Sequence, residues 1–215
     1  MVEGITIRRL EDPKAPVLDE VAVVVADALF DGTVGQVGCA GDKALFRKFQ
    51  RALAAGTAHS GHLYAAFDDR TGAVVGSIAF FQPGKTIIGD DEQRAQGFNA
   101  FVATLPQELL PWWTELAPRV LAELDKLVGE GGKERSWSAH SFAVREDYRG
   151  RGVGKALLGT GEALAKADKM PVIFETEHLH NVHMYKHLGY NIVQVIKLDG
   201  LGDREYTLFR KDVFT

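Results

Sequence analysis

An α+β fold is what this 215-residue sequence predicts, on three observations. Runs with apolar residues at helical spacing alternate with short β-like runs. A turn rich in glycine and arginine, Arg149-Gly150-Arg151-Gly152-Val153-Gly154, separates the apolar segment Ser138 to Val144 from a helix-like run that begins near Val153. A further short strand, Pro171 to Thr176, and a closing strand pair come after it. Helices packed beside a mostly antiparallel sheet suit that order.

Taken in sequence, Ile5-Thr6-Ile7 alternates and predicts a first strand. Val17 to Phe30 is apolar at helical intervals, with Asp31-Gly32 as a stop. Lys43 to Ala55 has Leu45, Phe46, Phe49 and Leu53 on one side, an amphipathic helix ended by Gly56. His62 to Phe67 and Ala73 to Phe81 flank a turn at Asp68-Asp69-Arg70-Thr71-Gly72, which predicts an antiparallel hairpin. After the Gly/Arg turn and its helix come the Pro171 strand, a helix containing Tyr185, and the strands Ile192 to Leu198 and Glu205 to Arg210.

Between the third and fourth strands, Gln82 to Gly132 is long for a structureless loop, about fifty residues. It predicts helices over Pro111 to Leu116 and Pro118 to Val128, each opened by its proline, with Gly129, Gly131 and Gly132 as stops. Two readings stay open. The segment is either a helical excursion packed on the sheet, or a lid in which Trp112, Trp113 and Phe101 line an acceptor pocket.

Composition narrows the function classes. The chain is 46% hydrophobic and 25% charged, enough for one sizeable core and a single domain over 1–215. A formal net charge of -4 argues against a nucleic-acid scaffold or a membrane-surface binder. Cys39 is the only cysteine, which rules out an internal disulfide, and a buried small residue is the reading for it. The first residues are too charged for a secretory apolar core, and Val21 to Ala26 is too short for a membrane helix. A soluble, cytoplasmic protein is expected.

The Gly/Arg turn carries the chemistry. A helix start has unpaired amides and the positive end of the helix dipole, so it favours phosphate oxygens. Glycine lets the backbone approach them closely. A Rossmann fingerprint fails, because Lys155 stands where its third glycine belongs; a P-loop fails, because Ala156 follows Lys155 and Arg149 holds the first glycine's place. Alone, the turn could equally be a solvated surface loop.

What fits is Arg-x-x-Gly-x-Gly, and here the chain resembles the GCN5-related N-acetyltransferases (GNAT), whose loop of this form binds the pyrophosphate of acetyl-coenzyme A. Phe142-Ala143-Val144 before the turn, Asp147-Tyr148 at its mouth and Lys155-Ala156-Leu157-Leu158 behind it agree with that family; Glu146, where many members have proline, departs from it. The specific motifs lie within 138–190. Beyond the Pro171 strand, Asn181-Val182-His183-Met184-Tyr185-Lys186-His187-Leu188-Gly189-Tyr190 resembles the family's Tyr-x-x-x-Gly-aromatic element. Asn181 stands one helical turn before Tyr185, a spacing similar to the small-molecule and antibiotic N-acetyltransferases, while His178 occupies the place of an asparagine common elsewhere in the family.

The resemblance implies the GNAT fold, with the helical insertion at 82–132, and acetyl-CoA as cofactor. It implies a contact role for Phe142, Ala143, Val144, Arg149, Gly150, Arg151, Gly152, Val153, Gly154, Lys155, His178 and Asn181. Tyr185 is the expected proton donor to the departing thiolate; the other reading of a lone tyrosine is a packed aromatic. Glu175 is the first candidate for general base, ahead of His140 and Glu108, with strand alternation putting His140 and Phe142 on one face. Trp112, Trp113, Glu108 and His140 are the acceptor-side candidates. The expected reaction moves an acetyl group directly to a primary amine of a small molecule through a tetrahedral intermediate, without an acyl-enzyme. A peptide or protein N-acetyltransferase, or a non-catalytic acyl-CoA sensor, is the alternative. A homodimer is compatible with the family. His183 and His187 have the i,i+4 spacing of zinc helices, but Met184 stands where the glutamate of that motif would be, and no metal is expected.

Overall fold

The computed structural model describes residues 2–127, 132–197 and 204–214. β1 (Ile5–Arg9), β2 (His62–Asp68) and β3 (Val74–Phe81) pair antiparallel in that order. β4 (Trp137–Val144) continues the sheet antiparallel to β3, and β5 (Val172–Thr176) runs parallel to β4. The antiparallel pair β6 (Asn191–Lys197) and β7 (Glu205–Lys211) completes it through β5, giving the order β1-β2-β3-β4-β5-β7-β6.

One face of the sheet carries α1 (Ala15–Leu29) and α2 (Lys43–Ser60). Their apolar sides meet Leu63, Ala65 and Phe67 of β2 and Ala143 of β4. Asp42 opens α2 by accepting from the amides of Ala44 (2.8 Å) and Leu45 (3.0 Å). Gly56 does not end α2 as expected. The helix continues through Thr57, whose hydroxyl donates to the Leu53 carbonyl (2.8 Å), and ends at Gly61.

The insertion between β3 and β4 contains α3 (Asp91–Gln93) and α4 (Asn99–Ala103), which the sequence did not predict, and α5 (Ala117–Leu127), which it did. Pro118 does not open a helix. A π-turn over Trp112–Leu116 leads straight into α5, and Ala117 keeps helical dihedrals (φ -61°, ψ -43°). Wider turns of this kind are one way a helix accommodates a proline that lacks its donor. Val128, Gly129 and Gly131, expected at the end of this helix, lie outside the described residues, as does Leu198; Gly132 begins a 3-10 turn. Trp113 anchors the insertion: its ring stands 4.5 Å from Phe49 of α2, and its indole N–H donates to the Gly38 carbonyl at 2.8 Å.

On the opposite face lie α6 (Val153–Asp168) and α7 (Leu179–His187). They bury Leu157, Leu158 and Tyr185 against Ile78 and Phe80 of β3, Phe174 of β5 and Phe209 of β7. Cys39 is fully buried, and burial with Asp42 nearby pushes its thiol up to about 12, so it stays a protonated core residue. No helix among the described residues is long and apolar enough to cross a membrane.

Candidate active site

Two irregularities in the middle of the sheet create the site. The first is a bulge in β4. Ser77 pairs with Ala143 and Ala79 with His140, so two β4 residues, Ser141 and Phe142, oppose Ile78 alone. Ser141 takes the extra residue in a left-handed conformation (φ 49°). A bulge reverses which face each later side chain addresses. Ala139 packs toward α6 and α7, and beyond the bulge Phe142 and Val144 do so too. His140 instead meets Phe81 (5.9 Å between rings), the neighbour of Phe80 on the other face. His140 and Phe142 therefore lie on opposite faces, contrary to simple alternation.

The second is a split. β4 and β5 pair only at Trp137–Val172 and Ser138–Ile173, then diverge. The β5-facing backbone edge of β4 after Ser138 is thereby left without a ladder partner. Through this gap runs a cavity of about 580 Å³. It is lined by Ala139, His140, Ser141 and Phe142 of β4, Glu175 and Thr176 of β5, and Asn181 and Tyr185 of α7. On the α2 side the insertion closes over it with Phe98, Trp112 and Trp113.

Alternation along β5 sorts its side chains. Ile173 packs on Val120 and Leu124 of α5, and Phe174 packs on Tyr185 and Tyr190 (ring centroids 4.5 and 4.8 Å). Glu175 thus faces the insertion together with His140, while Tyr185 stands on the α6/α7 side. Burial raises the Glu175 carboxyl above its ordinary value, an effect the Lys133 ammonium opposes, and no other described residue hydrogen-bonds it. Burial, aided by Lys133, lowers His140 to about 3, so its ring is neutral at ordinary pH and a weak base; its Nε2 has no partner. Burial also raises the Tyr185 hydroxyl well above its usual value. That hydroxyl donates to no described residue, while its ring is held by Phe174, Phe209 (5.3 Å) and Phe142 (6.3 Å).

Beside the gap, the Gly/Arg turn opens α6. Gly150 (φ 73°) and Gly152 (φ 86°) both take left-handed dihedrals, and no side chain caps the helix. Its first internal bond runs from the Ala156 amide to the Gly152 carbonyl (3.0 Å), leaving the amides of Val153, Gly154 and Lys155 unpaired within the helix. The turn is fastened from behind. Tyr148 donates its hydroxyl to Asp68 in the β2–β3 turn (2.7 Å), which, with the Thr71 and Arg70 contacts, holds the Asp68 carboxyl near 2. Arg145 and Arg151 lie 5.2 and 5.0 Å from the Tyr148 ring, and Arg149 donates to the Val144 carbonyl (3.2 Å). Uncapped amides, two glycines and the open β4 edge fit a diphosphate with a peptide-like arm running along the strand. Phe142, His178 and Asn181 line the cavity next to this edge; Ala143 turns its side chain toward α1 and α2, so only its backbone faces the gap.

The acceptor-side candidates divide. Trp112, Trp113 and His140 reach the cavity. Phe101 does not line it and packs under Trp113 (4.9 Å) instead; Glu108 is exposed on a 3-10 turn away from it. The insertion both packs and covers. Sequence reading missed Gln50, Arg94, Thr33 and Glu177, which also line the cavity. Glu177 accepts from the Thr33 amide (2.8 and 3.0 Å) and hydroxyl (2.5 Å) and from Arg204 (3.4 Å), so its carboxylate is spent on joining β5 to the end of α1. No local signal marks such a contact across 144 positions. His183 and His187 are exposed on α7, and among the described residues no group of three or more His, Cys, Asp or Glu is placed to hold a metal ion.

A sheet split between two parallel central strands, with an uncapped glycine-rich helix start beside it, defines the site. Residues 117–192 match the model of the "Acetyltransferase (GNAT) domain". Solved structures share the architecture over nearly the whole chain. Arylalkylamine N-acetyltransferase 2 from Aedes aegypti is 16% identical with a TM-score of 0.64, covering 98% of this chain and 100% of that one. A histone acetyltransferase HPA2 and related acetyltransferase from Corynebacterium glutamicum is 18% identical with a TM-score of 0.60, covering 97% and 96%. FeeM, an N-acyl amino acid synthase from uncultured soil microbes, is 14% identical with a TM-score of 0.54, covering 97% and 91%. At these identities the likeness is one of fold.

Proposed function

We propose that the protein is an acetyl-CoA-dependent N-acetyltransferase acting on a primary amine of a small molecule, with the chain working as one domain. The observation that carries this reading is the position of Glu175 and Tyr185 on opposite faces of the sheet, both open to one cavity at the β4–β5 split. Acetyl-CoA supplies an activated acetyl thioester. The amides of Val153, Gly154 and Lys155 hold its diphosphate, with Arg149 and Arg151 adding charge. The free edge of β4 orients the pantetheine arm, and Asn181 and His178 flank it.

Glu175 accepts a proton from the ammonium, which frees the lone pair for attack at the acetyl carbon. A β4 backbone amide beside Phe142 donates to the carbonyl oxygen as negative charge gathers there. Tyr185 gives its proton to sulfur as the C–S bond breaks; its raised pKa keeps that proton available. Closure of the site by the insertion favours a small acceptor over a peptide, which would need an open groove. Acetyl-CoA-dependent thiol release with a panel of amines tests the reading, and saturable acetyl-CoA binding without release from any amine would replace it with an acyl-CoA sensor.

Because the Glu175 carboxyl titrates above the 4.5 of an unperturbed glutamate, kcat/KM should fall on acidification at a pH above that value. Glu175→Gln should remove this limb and lower the rate on the order of 100-fold. An unchanged profile would exclude Glu175 as the base. Tyr148→Phe keeps the ring between Arg145 and Arg151 but severs the tie to Asp68. It should raise KM for acetyl-CoA roughly 3- to 10-fold with kcat little changed, as measured by steady-state kinetics.

A further inference from the structure

The acceptor half of the cavity differs sharply in chemistry from a site for a polar amine. Its walls are rings and branched chains: Phe46 and Phe49 from α2, Phe98, Trp112 and Trp113 from the insertion, and Leu124 from α5. Trp113 stands 4.5 Å from Phe49 and 4.7 Å from Trp112, so the rings form a continuous wall. The charged groups in reach are few and mostly committed. Glu177 is saturated by Thr33 and Arg204. Arg94 is held by the Asp91 carboxylate (2.6 Å) and the Ile88 carbonyl (2.8 Å). His140 is neutral. Among the described carboxylates that line the cavity, Glu175 alone remains to receive a cation.

From this distribution we infer that the acceptor is a hydrophobic monoamine, a single primary amine on an apolar, ring-bearing body, seated against the Phe46/Phe49/Trp113 wall with its nitrogen at Glu175. The inference rests on the acyl-transfer reading for the fate of the amine. The seating itself follows from the walls. A ring buried here gains the transfer free energy of its apolar surface. A polyamine or a polyhydroxylated amine would bring several further charges or hydroxyls to walls that offer few partners beyond Gln50, His140 and the Trp112 indole N–H, at a cost for each left unpaired.

The test compares 2-phenylethylamine and tryptamine with spermidine and ethanolamine. In acetyl-CoA-dependent thiol release, kcat/KM for the ring amines should exceed that of the polar pair by about 100-fold. Equal or reversed preference would overturn the inference. A titration of tryptophan fluorescence with each amine, in the presence of coenzyme A, reads seating without turnover. Saturable change with the ring amines only supports the inference even where no thiol is released, an outcome that would sink acyl transfer alone. No change, or the same change with spermidine, overturns it. Leu121 of α5 also lines the cavity; Leu121→Glu places a carboxylate on that wall and should cut the ring-amine preference at least 10-fold while acetyl-CoA affinity, measured by calorimetry, stays as in the parent, and an undiminished preference counts against the wall.

Discussion

Replacing Gly152 with valine should abolish acetyl-CoA binding while the fold survives. Gly152 sits at φ 86°, the residue immediately before α6, and a β-branched residue is strongly disfavoured there. The backbone would rotate out of the left-handed region, and the amides of Val153 and Gly154 would turn with it. Space is not the obstacle, since the nearest atom to an added Cβ is Val2 Cγ2 at 3.7 Å. The loss therefore falls on the amide array and not on the core. Calorimetric titration should show at least a ~100-fold weaker affinity, two or more charge-assisted hydrogen bonds being misaligned. Gly159→Ala is the matched control: it lies further along α6, nothing stands within 4 Å of its Cβ, and alanine favours the helix. Undiminished affinity in Gly152→Val would remove the turn from cofactor binding.

Tyr185→Phe should lower kcat by about 100- to 1000-fold with KM for acetyl-CoA within a few-fold. The phenol ring is what packs, against Phe174, Phe209 and Phe142, and phenylalanine reproduces that contact. The hydroxyl donates to no described residue, so deleting it breaks no internal bond. Stability should hardly change, which separates this substitution from one that damages the fold. Thermal unfolding measured beside the kinetics checks the separation. A variant with full turnover would leave Tyr185 a packing residue and require another proton source at sulfur.

The strand, the Gly/Arg turn and the start of α6 at Val153 were legible because they are contiguous: each is dictated by residues within a few positions of itself. The same holds for α1, for the hairpin at 68–72 and for the spacing of Asn181 and Tyr185 along α7. Errors arose where a local signal met a longer element. Gly56 reads as a stop but sits inside α2, and Pro118 reads as a start but follows a π-turn. At Gly56 the insertion packs close, with the Gln93 carbonyl 3.2 Å from where a Cβ would stand, and α5 packs on Ile173, Tyr206 and Leu208 of the sheet, so tertiary contacts outweigh local preference.

The sequence by itself determined the order of the strands and the long helices, the helical character of the second half of the insertion, and the glycines that free the first amides of α6. Tertiary structure alone decided which side chains share a face and which charges stay available. The bulge at Ser141 separates His140 from Phe142 because β4 must keep register with β3, a pairing across more than sixty positions (Ser77 with Ala143). Glu175 and Glu177 look alike in sequence, yet Thr33 and Arg204 occupy one and leave the other bare. Periodicity records the neighbours a residue has along its own strand or helix; it carries no record of partners brought from the far end of the chain, and those partners set the chemistry of the cavity.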